Sequence, residues 1–122
     1  MRVIGAFAHG IIDYAVVIML AIGPVVAGFR GRQALWAYAF ALVLFLLTVA
    51  TRFPLGASKI VGFPLHGAIE LLLAVVMIVL PFIAGFSAGV HSRNFYIAIG
   101  VLIAIIFFLT DYRGRAARAP KS

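Results

Sequence analysis

The sequence predicts an all-α integral membrane protein, a four-helix bundle built from two tandem two-helix repeats. Three observations predict it: a hydrophobic share of 66%, four long apolar stretches, and a similarity between the two halves of the chain. Only 11% of the 122 residues are charged, which is too few for the surface of a soluble domain. We therefore expect residues 1–122 to form one transmembrane domain with the lipid bilayer as its solvent.

Four stretches approach or exceed the about 20 apolar residues that a helix needs to cross the hydrocarbon core. They are Val3–Phe29, Gln33–Thr51, Ile60–Phe86 and Asn94–Thr110. The connections between them contain glycine, serine, proline and basic residues, which are typical of turns and of the headgroup region. The sequence therefore predicts four antiparallel spans joined by short connections.

Basic residues near the ends of the spans predict the orientation. One side, which holds the N-terminus, the second connection and the C-terminus, carries Arg2, Arg52, Lys59, Arg113, Arg115, Arg118 and Lys121. The other side carries only Arg30, Arg32 and Arg93. This asymmetry predicts that both termini are cytoplasmic. The net charge of +7 is then explained by contacts with lipid headgroups, and no nucleic-acid partner is expected.

A shift of the sequence by 57 residues superposes the two halves of the chain. It pairs His9 with His66, Gly10 with Gly67, Asp13 with Glu70, Pro24 with Pro81, and the Ala-Gly-Phe at 27–29 with that at 84–86. With two more residues inserted, Thr51-Arg52-Phe53 falls on Thr110-Asp111-Tyr112. We therefore predict repeats at 1–58 and 59–112, followed by a basic tail at 113–122. Each repeat contains two spans, so their pseudo-two-fold axis runs along the membrane normal.

This pattern resembles the SPW-repeat family of small bacterial membrane proteins. The resemblance covers nearly the whole chain and rests on a His-Gly start, a carboxylate one turn later, a proline followed by Ala-Gly-Phe, and a second helix that ends in Thr-Asp-Tyr. The family's Ser-Pro-Trp is represented by Gly23-Pro24-Val25 and by Leu80-Pro81-Phe82. The resemblance implies a four-helix fold in a bacterial or archaeal cytoplasmic membrane, and it implies no particular reaction.

Each of the first and third spans contains a histidine and a carboxylate four residues apart, His9 with Asp13 and His66 with Glu70. Residues with this spacing lie on one face of a helix. Because the two spans are parallel, both pairs are expected at the same depth on the cytoplasmic side, in one polar cluster between these spans. Ionisable side chains inside a membrane are costly and commonly mark functional sites.

Two classes of ligand fit this cluster. In the first, His9 and His66 bind the iron of haem b or a related tetrapyrrole, and Gly10 and Gly67 let the flat ligand come close. In this arrangement the two carboxylates do not bind the iron. They hydrogen-bond to the histidines and fix which ring nitrogen carries the hydrogen. In the second, the two histidines and the two carboxylates together bind a bare metal ion, such as zinc or a redox metal.

Arg52 and Asp111 directly follow the second and fourth spans, on the same side as the cluster. They occupy equivalent positions in the two repeats and carry opposite charges. Charged groups near a membrane interior are normally paired. The sequence therefore predicts an ion pair between Arg52 and Asp111 beside the cluster.

Two alternatives require no ligand. In one, the four residues bond to each other or to Arg52 and only fix helix packing, as in a homo-oligomer or a structural subunit of a larger membrane complex. In the other, Asp13 and Glu70 relay protons or small ions, and the histidines face the cytoplasm. The chain has no cysteine and no motif of a hydrolase or a phosphate-binding loop. The sequence therefore favours a protein that is not an enzyme, and it assigns His91 to the protein surface.

Overall fold

The computed structural model of the chain describes residues 3–51 and 61–112, which form four α-helices. They are α1 (Ala6–Ala27), α2 (Arg32–Val49), α3 (Phe63–Ile83) and α4 (Val90–Leu109). Each helix is long and apolar enough to cross a membrane. Within the described ranges the only β-type pairing is two isolated backbone bridges. The predicted all-α fold with four membrane-spanning helices is therefore confirmed.

The helices are neighbours in the cyclic order α1, α2, α3, α4. Packing is most extensive between α1 and α2 and between α3 and α4, while α4 meets α1 and α2 meets α3 over smaller areas. As a result, α1 and α3 face each other along the diagonal of the bundle. Bundle folds build their ligand sites from side chains that project inward from facing helices. The diagonal from α1 to α3 is therefore the place where such a site is expected.

The helices α1 and α3 end in the same way. In α1 the backbone N–H of Phe29 donates to the carbonyl oxygen of Pro24 at 2.9 Å, and in α3 the N–H of Phe86 donates to that of Pro81 at 2.9 Å. Gly28 and Gly85 both have φ of 82°, a left-handed conformation that suits glycine at a helix end. Residues that the 57-residue shift pairs thus have matching backbone geometry.

The centre of the bundle is apolar. Its most deeply buried apolar side chains, each at most 2% exposed, are Val16, Leu20, Leu44, Ala74, Met77 and Ile103. Large apolar side chains also cover the outside, and among those more than half exposed are Phe7, Ile18, Leu35, Leu72 and Phe108. A helix that is apolar on all faces is typical of a membrane span. The outer surface is therefore suited to contact with lipid.

Gly100 marks a close approach of α4 to α3. A Cβ at this position would lie 2.8 Å from the carbonyl oxygen of Ala74 and 2.7 Å from Cγ1 of Ile78. Because the carbonyl belongs to the helix backbone, the two helices would have to separate. We expect Gly100→Ala to lower the thermal stability in detergent by about 1–3 kcal/mol, although alanine is the better helix former.

The matched control adds volume on the exposed face of the same helix. Ala98 is exposed, so Ala98→Leu should leave the melting temperature nearly unchanged. Circular dichroism or a fluorescence melt of the purified variants measures both effects. Equal melting temperatures for Gly100→Ala and wild type would contradict the close packing of α3 and α4.

Candidate functional site

Four ionisable side chains meet near the end of the bundle where α1 and α3 begin. His9 and Asp13 project from α1, and His66 and Glu70 project from α3; each is at most 2% exposed. Both histidines are the fourth residue of their helix, so they lie at matching depth. The backbone positions of Asp13 and Glu70 lie one turn, about 6 Å, further into the bundle. The structure thus brings the four predicted metal ligands together in one group, termed the quartet below.

The inner nitrogen of each imidazole contacts both carboxylates. Nε2 of His9 lies 3.1 Å from Oδ2 of Asp13 and 2.9 Å from Oε2 of Glu70. Nε2 of His66 lies 2.8 Å from Oδ2 of Asp13 and also contacts Oε2 of Glu70. The ligating atoms of the quartet all lie within 4.8 Å of one another. Nitrogen and oxygen atoms therefore alternate around one small centre.

The outer nitrogen of each imidazole bonds to a threonine just beyond the end of another helix. Nδ1 of His9 lies 2.8 Å from Oγ1 of Thr110, which follows α4. Nδ1 of His66 lies 2.7 Å from Oγ1 of Thr51, which follows α2. Both threonines are completely buried. All four helices therefore contribute to the site, two through the quartet and two through the threonines.

The threonine hydroxyls determine the tautomer of both histidines. Each hydroxyl has one proton, and it donates this proton to the carbonyl oxygen four residues earlier, at 2.5 Å for Thr51 and 2.6 Å for Thr110. Toward the imidazole each hydroxyl can then only accept, so Nδ1 carries a hydrogen. In a neutral imidazole Nε2 is then without a hydrogen. Both histidines thus direct a lone pair toward the two carboxylates.

This tautomer creates an electrostatic requirement at the centre of the quartet. Two carboxylates and two nitrogen lone pairs converge where water has no access, and uncompensated charge in such a place is costly. A divalent cation at the centre supplies the required charge and bonds to all four atoms. Two protons, one on each Nε2, supply the same charge as two imidazolium–carboxylate pairs. Each of these states leaves the quartet neutral overall.

The four donor atoms lie close enough together to surround a single ion. Three of the nitrogen–oxygen separations are 2.8, 2.9 and 3.1 Å. With metal–ligand bonds of about 2.0–2.1 Å, adjacent ligand atoms of a tetrahedron lie about 3.3 Å apart. To bind the ion, these three separations would each lengthen by a few tenths of an ångström, and the closer contact between Nε2 of His66 and Oε2 of Glu70 would lengthen by more.

Aromatic rings cover the quartet on the side where α1 and α3 begin. The ring centroid of His9 lies 5.2 Å from that of Phe63 and 5.3 Å from that of Tyr112, and the last two lie 4.7 Å apart. A Cβ on Gly67 would lie 2.6 Å from Cε1 of Tyr112. The tyrosine ring thus occupies the space beside Gly67 in which the sequence predicts a flat tetrapyrrole. Gly10 is buried in α1 next to His9.

The remaining sequence-predicted residues lie outside the quartet. Arg52 is outside the described residues, so its ion pair with Asp111 stays a prediction. The backbone N–H of Asp111 donates to the carbonyl oxygen of Ile4 at 2.8 Å. His91 is exposed, as expected for a surface histidine, and it lies in the first turn of α4.

Two site residues were not predicted from the sequence. The tautomer-fixing role given to the two carboxylates is performed by Thr51 and Thr110, because the carboxylates face the inner nitrogens. The available signal was the pairing of these threonines in the repeat, at the ends of the second and fourth spans.

Comparisons of the chain with protein-family models, with curated proteins and with solved structures give no match. The resemblance to the SPW-repeat family therefore stays a prediction from the sequence.

The threonine contacts predict a selective loss of stability. Thr51→Val removes the acceptor for Nδ1–H of His66, and an unsatisfied buried donor costs about 1–3 kcal/mol. Thr48 is the matched control, since it is equally buried and its hydroxyl bonds to the carbonyl oxygen of Leu44 at 2.7 Å. We expect Thr51→Val to melt at a clearly lower temperature than Thr48→Val, and Thr51→Ser to lie close to wild type. Equal losses for the two valine variants would contradict the assigned role.

Proposed function

We propose that this protein binds one divalent transition-metal ion inside the membrane, with His9, Asp13, His66 and Glu70 as its ligands. The observation that carries the proposal is the convergence of four donor atoms on one centre, while both outer imidazole nitrogens are held by threonines. Hydrogen bonds to the outer nitrogen are the usual way in which proteins orient metal-binding histidines. Two imidazoles and two carboxylates, without sulfur, suit zinc or iron more than copper(I).

Charge supports the same proposal. Two carboxylates and two neutral imidazoles carry a charge of −2, which a divalent ion cancels. A neutral complex avoids the cost of placing net charge in a low-dielectric membrane interior. The four protein ligands leave no open coordination position, a feature of structural rather than catalytic metal sites. The proposal is therefore a binding function without a reaction.

The geometry favours a bare ion over haem b or a related tetrapyrrole. Ligation by two histidines places the imidazoles on opposite faces of a macrocycle. The rings of His9 and His66 have centroids 5.5 Å apart and planes 79° apart. Their inner nitrogens share the same two carboxylate oxygens, which occupy the space that a macrocycle would need. A Soret band in the purified protein would contradict the bare ion and support the tetrapyrrole.

The quartet also supports one function that needs no ligand. With a proton on each Nε2, the two imidazolium–carboxylate pairs would join α1 to α3 and serve packing alone, as in a subunit of a larger membrane complex or a homo-oligomer. Transport of protons or ions has less support. Among the described residues, the buried side chains between the carboxylates and the opposite helix ends are apolar except for Tyr96 and Ser92, whose hydroxyls donate to the carbonyl oxygens of Gln33 and Gly89.

Metal content separates these functions. Protein purified in detergent without chelators should contain about one ion per chain by elemental analysis. Removing one ligand should weaken metal binding by at least about 100-fold. Even the loss of a residue that only hydrogen-bonds to a metal ligand lowers metal affinity about 10–100-fold. His9→Ala and Asp13→Asn should therefore lose the ion, whereas the exposed control His91→Ala should keep it. A metal-free wild type that folds normally would contradict the proposal and support the packing function.

We further propose that the protein lies in a bacterial cytoplasmic membrane with both termini inside, from the basic-residue asymmetry and the family resemblance. Single cysteines at Ser87 and Ser122 should then react with a membrane-impermeant thiol reagent from opposite sides, since the chain itself has no cysteine. Ser87 should react in intact cells, and Ser122 only after the membrane is opened. Labelling of both residues from one side would contradict the four-span topology.

A further inference from the structure

The quartet is closed by apolar packing on the side toward the far end of the bundle. Val16, Leu20, Ala74 and Met77 follow the carboxylates along α1 and α3, and each is at most 2% exposed. From Glu70 to the end of α3, this part of the bundle is about 20 Å long by helical rise. An ion without water or ligands would have to cross it at a large desolvation cost. The far side therefore offers no route to the quartet within the described residues.

On the near side the described cover consists of aromatic rings and of the two short backbone bridges between Ile4 and Thr110 and between Thr51 and Val61. Phe63 and Tyr112 pack against each other, with Ala6 and Phe107 around them. Both rings touch the imidazole of His9 and are about 7% exposed, so they reach from the quartet to the protein surface. The described cover is therefore much thinner on this side than on the other.

The two rings differ in how they are attached. Phe63 is the first residue of α3, so its backbone is part of the helix. Tyr112 lies beyond the end of α4, and its ring rests on Gly67, whose missing side chain provides the space. A displacement of Tyr112 breaks no helix, whereas a displacement of Phe63 disturbs the start of α3. Tyr112 is therefore the part of the cover that can move at the lower cost.

We propose that the ion enters and leaves the quartet past Tyr112, and only from the side of the membrane on which α1 and α3 begin. This inference rests on the proposed metal site. Tyr112 supplies no ligand in this arrangement, so it controls the rate of exchange and not the number of ions bound. The protein then takes up and returns its ion on one side of the membrane, and it does not carry the ion across.

The first experiment measures exchange with full-length protein loaded with Zn²⁺. Release to an excess of chelator is followed in detergent for wild type, Tyr112→Ala and the control Phe95→Ala. Phe95 is an aromatic residue at the far end, where its ring packs against Gly23. We expect Tyr112→Ala to release zinc at least tenfold faster, with the same zinc content at equilibrium, and Phe95→Ala to match wild type. Gly67→Ala, which displaces the ring without removing it, should also accelerate release.

The second experiment tests sidedness in proteoliposomes that carry a reporter cysteine at Ser87. An impermeant chelator added outside should remove zinc only from molecules whose Ser87 faces the lumen. Removal from both orientations would overturn one-sided access. Normal zinc content with unchanged release rates in both Tyr112→Ala and Gly67→Ala would overturn the role of Tyr112 in metal exchange, but not the metal site itself. A wild type that binds no zinc or other metal would overturn both the proposed function and the role of Tyr112.

Discussion

Two carboxylates buried in an apolar bundle are the constraint around which the described structure is arranged. When ionised, Asp13 and Glu70 carry two negative charges in a part of the bundle that water does not reach. Such charges persist only when positive charge or hydrogen bonds compensate them. Their compensation requires both histidines, because each inner nitrogen contacts both carboxylates. Since α1 and α3 lie on a diagonal and pack mainly against other helices, the quartet is also the main link between them.

The constraint extends to the other two helices through the threonines. Each histidine keeps its inner nitrogen directed at the carboxylates because a threonine accepts from its outer nitrogen. The chain segment before each histidine-bearing helix supports this contact. The N–H of Ile4 donates to the carbonyl oxygen of Leu109 at 2.8 Å, and the N–H of Val61 donates to the carbonyl oxygen of Ala50 at 2.7 Å. The start of α1 is thereby joined to the end of α4, and the start of α3 to the end of α2.

The parts of the site that were predictable from the sequence depend on local periodicity. Span length and hydropathy indicate four helices, and the spacing of four residues places His9 and Asp13, or His66 and Glu70, on one face. The threonine contacts depend on how distant helix ends meet, and no local pattern encodes that. Tyr112 fills the space beside Gly67 for the same reason. In the sequence alone, a threonine or a tyrosine at the end of a span cannot be told from the polar and aromatic residues that commonly lie at membrane boundaries. Only the tertiary contacts reveal its role.

The bond between His9 and Thr110 also has a consequence for biogenesis. Thr110 follows His9 by 101 residues along the chain, so the hydroxyl that accepts from His9 is synthesised long after the histidine itself. Chains fold largely from the N-terminus as they are made. The nascent first hairpin must therefore reside in the insertion machinery or the membrane with an incompletely supported carboxylate. Completion of the site therefore coincides with the arrival of the fourth helix, which Thr110 directly follows.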